Sequence, residues 1–430
     1  MKSFHSRIMP ADAEMIWRCA TERNFLTAGS RSLIVHDFER LQHRIEILQQ
    51  AFPETTLHAI AIKANPLVEV LKFCVQNGCG LEAASIEEVH LALAAGCDPL
   101  QIVFDSPAKT IDEIRFCLDK GIHLNVNGFP ELDRIAALYD ASIHQSNVGI
   151  RINPEISAGA IGQTSVGSIG SKFGVSINSQ RKQIIDAFDR FSWLNGLHVH
   201  VGSQGVTLDQ LCESILQIDQ LRKDIQTKTK RNITFVDIGG GLPAIYDSQA
   251  SPISPTEYAD RIKVEHPELV TESKLVTEFG RCVHAGCGIA FSQVEYVKRR
   301  STGRYEATVH LGADFLLRPV YRSAEWKHEF LLLDANGQLK SPNESTTTLN
   351  GPLCFGGDVI ARDILIGEPE PGDWLAIRDC GAYTTSMWSR HCSRGIPGIV
   401  SYMDGQLNWL RQQETPEDVV RYWSNSQLTD

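Results

Sequence analysis

The chain has 430 residues, with 41 Lys+Arg against 52 Asp+Glu and a formal net charge of -11. That excess of acid repels phosphate backbones and anionic lipid headgroups, and no apolar run reaches the length of a membrane-spanning helix, so neither nucleic acid nor membrane is an expected partner. The length exceeds what one hydrophobic core serves and predicts two domains. Eleven scattered cysteines with no paired CxxC motifs predict reduced thiols and no metal site. The start, Met1 to Pro10, lacks the basic and apolar segments of a signal peptide, so a soluble cytoplasmic protein is expected.

From about Ser32 to Gly288, short apolar runs alternate with longer amphipathic stretches, the pattern of repeated strand-then-helix units. In chain order the predicted strands are Ser32 to His36, His58 to Lys63, Gly80 to Ala84, Ile102 to Phe104, His123 to Val126, Val148 to Ile152, Gly196 to Val201, Thr234 to Ile238 and Lys274 to Glu278. Segments such as Asp37 to Phe52 and Ile86 to Ala95 carry apolar residues at helical spacing. About eight such units predict a (β/α)8 barrel over residues 32–288, with its chemistry at the C-terminal strand ends; an open doubly wound sheet is the alternative. After Gly288 the texture changes to short runs, Ser292 to Val297, Tyr305 to Leu311, Glu329 to Leu333 and Asp373 to Arg378, separated by turn residues. Residues 289–430, together with 1–31, are expected to form a mostly β domain.

Four strand ends carry candidate chemistry. His58-Ala-Ile-Ala-Ile-Lys63 ends an apolar strand with a lysine before Ala-Asn-Pro66, where an amine can be desolvated for imine formation; a lysine merely reaching to solvent is the plain alternative. His198-Val-His200-Val-Gly202-Ser203 has two histidines that share a face, either core residues or, for His200, a ring able to stack on a flat heterocycle, with Ser203 able to donate to a phosphate. Gly239-Gly240-Gly241 follows a strand, and its bare N–H groups can close around a phosphate, although such a run is also a common turn. Glu278-Phe-Gly280-Arg281 puts a carboxylate at a strand end beside an arginine, which a simple ion pair explains equally well. An amine, a phosphate cradle, a stacking ring and a carboxylate together match the needs of pyridoxal phosphate, whose pyridinium nitrogen must keep its proton to act as an electron sink.

These motifs, in this order, resemble the diaminopimelate, ornithine and arginine decarboxylase family, which shares its barrel with alanine racemase. Ala61-Ile-Lys63-Ala-Asn65 is similar to the family's lysine motif, Ser171-Lys-Phe-Gly174 to its mid-barrel loop, and His198 to Gln204 to its ring-stacking strand. Asp237 to Gly241 resembles the phosphate glycines, Glu278 to Arg281 the ring-nitrogen motif, Gly351-Pro-Leu-Cys354-Phe-Gly-Gly-Asp358 the second-subunit loop, and Gly381-Ala-Tyr383 the tyrosine that reaches the phosphate. The resemblance implies a pyridoxal-phosphate-dependent amino-acid decarboxylase, with Lys63 as the Schiff-base lysine and Cys354 as the acid that returns a proton to Cα. It also implies a homodimer with two active sites at the interface, each completed by Cys354, Asp358 and Tyr383 of the partner subunit. The same barrel supports racemases, and a non-catalytic decarboxylase-like regulator is a third reading.

Departures from the family pattern fall on the substrate side. Phe355 stands where relatives acting on diamino acids often have an acid, and it offers an ammonium only a cation–π contact. Arg318-Pro-Val-Tyr321 resembles a family segment whose arginine and tyrosine contact a distal carboxylate, with Arg281 also retained. Phe279 replaces a usual proline, and Ser389-Arg-His-Cys392 replaces an asparagine- and tyrosine-rich stretch. Diaminopimelate is the expected substrate by overall resemblance; a D- or L-configured lysine, ornithine or arginine, or a specialised substituted amino acid, are the alternatives.

Overall fold

The strand-then-helix pattern folds as a closed ring. The computed structural model describes residues 3–27, 29–156, 166–247, 253–301 and 303–425. It contains two compact units, one of Met1–Leu41, Ile245–Ala250 and His284–Asp430, the other of Gln42–Ala244 and Ser251–Val283. In the second unit the parallel strands Leu57–Ala61, Gly80–Ala83, Ile102–Phe104, His123–Val126, Val148–Asn153, Leu194–Val199, Phe235–Asp237 and Lys274–Thr277 pair in sequence order. Lys274–Thr277 returns to pair with Leu57–Ala61, closing an eight-stranded barrel. A two-residue strand, Val175–Ser176, attaches to the end of Val148–Asn153. Side chains of the connecting segments fix where the helices start: Thr110 and Thr207 each accept an N–H from the third helical residue and receive its side chain in return.

Strand alternation explains how the barrel is filled. Leu57, Ala59, Val103, Phe235 and Val276 form one buried apolar cluster. Two residues further along their strands the same face carries Asp105, Asp237 and Glu278, so an apolar floor is followed toward the C-terminal rim by a polar layer. Phe235 needs room. A Cβ on Gly196 would lie 2.1 Å from its ring, and one on Gly149 would lie 3.0 Å from it. Gly196→Ala is therefore expected to destabilise the protein by about 1–3 kcal/mol through overpacking. Urea unfolding measures this, and an unchanged midpoint would contradict the tight Phe235 contact.

Ser32–Asp37, which the local pattern assigns to the barrel, belongs to the other sheet. It pairs antiparallel with Gly288–Arg299 and parallel with Gly398–Met403. Its five consecutive buried residues look like a barrel strand because burial on both faces gives the same continuous apolar run in either setting. That sheet also contains Tyr305–Val309, Phe330–Leu333, Thr347–Asn350, Val359–Ile364, Trp374–Arg378 and Gln406–Arg411. The helix Pro10–Glu22 buries Ile16 and Trp17 in one core with Leu33, Val35, Phe291 and Trp374.

Candidate active site

Lys63 sits just beyond its strand, in the single helical turn Ile62–Ala64, rather than within it. Its Nζ lies 2.8 and 2.7 Å from the two carboxylate oxygens of Glu82, at the end of the neighbouring strand. Burial pushes the Glu82 carboxyl up to about 8, with Lys63 opposing and Glu278 and Asp105 adding to the rise. The amine therefore has, within hydrogen-bond reach, a base able to take its proton, and a neutral amine is the form that attacks a carbonyl.

Across the rim Glu278 is fully buried, and one of its oxygens, Oε2, lies 3.4 Å from His198 Nε2 and 3.3 Å from His200 Nδ1. Burial works against its charge, but the charges of His198 and Lys63 outweigh that effect and hold the carboxyl well below its ordinary range. The second oxygen, Oε1, is buried with no hydrogen-bond partner. A buried ionised oxygen left open is costly unless a donor arrives to meet it, which is the need a pyridinium N–H fills.

His200 cannot make both contacts at its Nδ1 at once. Gly240 N–H donates to that nitrogen at 3.1 Å, and this occupies its lone pair, so the 3.3 Å approach to Glu278 is a packing contact. Burial lowers the affinity of His200 for a proton, which agrees with a neutral ring.

The glycine loop is pressed against both flanking strand ends. A Cβ on Gly239 would lie 2.4 Å from the carbonyl oxygen of Val199, and one on Gly240 would lie 2.5 Å from that of Glu278. Gly239 and Gly241 also have positive φ, 66° and 114°. Gly280 is confined in the same way, its missing Cβ only 2.9 Å from Ala64 Cβ. Arg281 Nε donates to Ser203 Oγ at 3.0 Å, joining two of the predicted strand ends. A side-chain-free loop beside a hydroxyl and a guanidinium is a site into which a phosphate fits.

The rim also holds residues to which sequence reasoning gave no role. Asp105 is paired with Arg151 at 2.5 Å, and the Arg151 guanidinium lies 4.4 Å over the ring of Phe173 from the Ser171–Gly174 motif. Asp237 accepts from Asn125 at 2.8 Å and from Gly239 N–H at 2.9 Å. Glu82, Asp105 and Arg151 had a detectable signal: each is a lone charge in or next to a short, otherwise apolar strand, at the inward position of a two-residue period.

The remaining candidates lie in the other unit. Arg318 packs its guanidinium 4.8 Å over Trp326 and 4.6 Å over Tyr383. Tyr383 takes φ of 57°, a strained conformation for an aromatic residue. Tyr321 stacks on Phe355 at 6.1 Å and 13°, and His391 meets Phe355 edge-on at 5.8 Å. Cys354 is exposed. Asp358 is buried and accepts the N–H groups of Ala313 and Leu353, both at 2.7 Å, so its carboxylate braces the loop that carries Cys354.

A family profile described as pyridoxal-dependent decarboxylase, pyridoxal binding domain, matches residues 38–285. The chain is 30% identical over 398 residues to the diaminopimelate decarboxylase of Helicobacter pylori, covering 90% of this chain and 94% of that one. To the diaminopimelate decarboxylase of Aquifex aeolicus it is 26% identical over 428 residues, 98% of each chain. The crystal structure of the Helicobacter pylori diaminopimelate decarboxylase complexed with L-lysine superposes with a TM-score of 0.84 at 28% identity, covering 94% of this chain and 99% of that one.

Proposed function

The chain belongs to the pyridoxal-dependent decarboxylase family, as a pyridoxal-phosphate-dependent carboxy-lyase of an amino acid, and on that premise we propose that its substrate is a diamino acid of the diaminopimelate kind. The observation that carries the assignment of residues is the meeting, on paired neighbouring strands, of an amine held by a base and a buried carboxylate with an open oxygen. Pyridoxal phosphate supplies an electron sink for the pair of electrons left at Cα when carbon dioxide departs.

Each residue has a task in this reading. Lys63 would hold the cofactor, and Glu82 would accept the proton of its ammonium to free the amine and return it afterwards. Glu278 keeps the ring nitrogen protonated, and the neutral His200 offers its flat face. Ser203, Gly239, Gly240, Gly241, Gly280 and Arg281 hold the phosphate, with Tyr383 of the partner subunit. Cys354 of the partner subunit returns a proton to Cα, and Asp358 there fixes its loop. The reading includes a homodimer and a cytoplasmic location, the latter supported by eleven cysteines of which none is in a disulfide.

Resemblance over nearly the full length supports diaminopimelate, since L-lysine, bound in the Helicobacter pylori relative, is diaminopimelate less one carboxyl group. Arg318 then serves the distal carboxylate. The stacked Tyr321 and Phe355 favour a second reading, a substrate with a flat or apolar distal end. Carbon dioxide release is the test, measured over a panel of meso-diaminopimelate, both enantiomers of lysine, ornithine and arginine, and aromatic and acidic amino acids. Release from meso-diaminopimelate alone is expected. Release confined to an aromatic member would favour the second reading, and racemisation without release would overturn decarboxylation.

A further inference from the structure

Beneath Glu278 lies a chain of buried groups with no assigned role. His198 is fully buried, its Nε2 3.4 Å from Glu278 and its Nδ1 3.9 Å from Asp105, which in turn is paired with Arg151. Neither ring nitrogen makes a hydrogen bond. A buried imidazole without hydrogen bonds is poorly accommodated when neutral, yet one set among carboxylates is well accommodated as a cation.

The surrounding charges favour such a cation. Of the four buried carboxylates here, Glu82 is matched by Lys63, Asp105 is matched by Arg151 and nearby Lys109 is engaged by Glu131 at 2.9 Å, which leaves Asp237 and Glu278. Two negative charges are left over unless protons are retained. Burial and the charge of Glu278 push the Asp237 carboxyl well up, in the direction of keeping one. His198 is the other group placed to do so.

We propose that His198 is a positioning residue for the decarboxylation, a buried cation that acts through Glu278 to keep that carboxylate ionised, with Asp105 and Arg151 holding the imidazole in place. The contact geometry gives the direction of the effect. His198 adjoins Oε2, while Oε1 is the oxygen left for the cofactor's ring nitrogen. The cation therefore lowers the proton affinity of the carboxylate more than that of a group beyond it, and the proton stays on the ring. The same charges oppose the cost of burial and raise the affinity of His198 for its proton to about 9.

The proposal rests on the reading of Glu278 as the ring-nitrogen partner, and the experiment separates the two. Holoenzyme is prepared with pyridoxal phosphate labelled at the ring nitrogen, whose NMR shift reports protonation directly. His198→Gln is expected to move that shift toward the unprotonated value and to lower kcat about tenfold or more, with KM within about twofold of wild type. A purely structural role would leave the shift in place. If His198→Gln fails to fold, Asp105→Asn should move the shift in the same direction. Wild-type holoenzyme should itself show the change as pH rises through about 9, where His198 loses its proton. A shift unmoved in these variants and across that pH range overturns the role of His198. If Glu278→Gln also leaves the shift unmoved, the reading of Glu278 is what has failed.

Discussion

Lys63→Ala is expected to abolish the borohydride-fixable bond between protein and cofactor and to reduce carbon dioxide release at least on the order of 10³-fold, the scale of losing a covalent catalytic group. The cause is local. On the proposed reading Lys63 supplies the amine that condenses with the cofactor aldehyde, and its Nζ donates to Glu82 at 2.7 Å. Without the lysine, Glu82 is a buried carboxyl with no cation beside it and takes up a proton rather than stay charged. Lys63→Arg is the informative companion, because it keeps a cation facing Glu82 but cannot form the imine. Both variants should be inactive and should bind pyridoxal phosphate only reversibly, as dialysis followed by absorbance shows. A borohydride-fixed adduct surviving in Lys63→Ala would assign the cofactor to another lysine.

Glu278→Gln should be the next most damaging change, lowering kcat by about 10²–10³-fold, the range found when a preorganised electrostatic partner of a transition state is removed. Glutamine keeps the shape but presents no charge, so the ring nitrogen loses the partner that holds its proton and the developing carbanion is delocalised less well. The effect belongs to the chemical step, so KM for the substrate should change little. His198 should also be affected, since Glu278 is the first of the charges that sustain its proton, and the two substitutions combined should cost less than the sum of each alone. Steady-state kinetics of the two single variants and the double variant measure both effects. A kcat within a few-fold of wild type in Glu278→Gln would mean that the ring nitrogen does not depend on this carboxylate.

Much of the barrel was legible in the sequence because a parallel strand covered on both faces leaves a short continuous apolar run, and eight such runs appear at their observed places between Leu57 and Thr277. The triple glycine and the lysine after Ala61-Ile62 were legible for a similar reason, since each breaks a strand with residue types that ordinary packing seldom needs. Lys63 was placed inside its strand by pattern, whereas the chain turns before it in Ile62–Ala64. Glu82, Asp105 and Arg151 each mark themselves as one charge in or beside a short apolar run, but which groups they meet around the barrel is fixed only by its closure.

By itself, then, the sequence determined the class of fold, the order of the motifs and the chemical inventory, all of which follow from short-range periodicity and residue type. Tertiary structure alone decided that Ser32–Asp37 joins Gly288–Arg299 and Gly398–Met403 rather than the barrel. It alone decided that Lys63 meets Glu82 and that Glu278 keeps one oxygen open above His198. The physical reason is common to these cases. Burial is written into a segment's own composition, but the partner of a strand edge or a buried charge is set by tertiary pairing, which joins Leu57 to Val276 in the barrel and Leu33 to Gly398 in the other sheet.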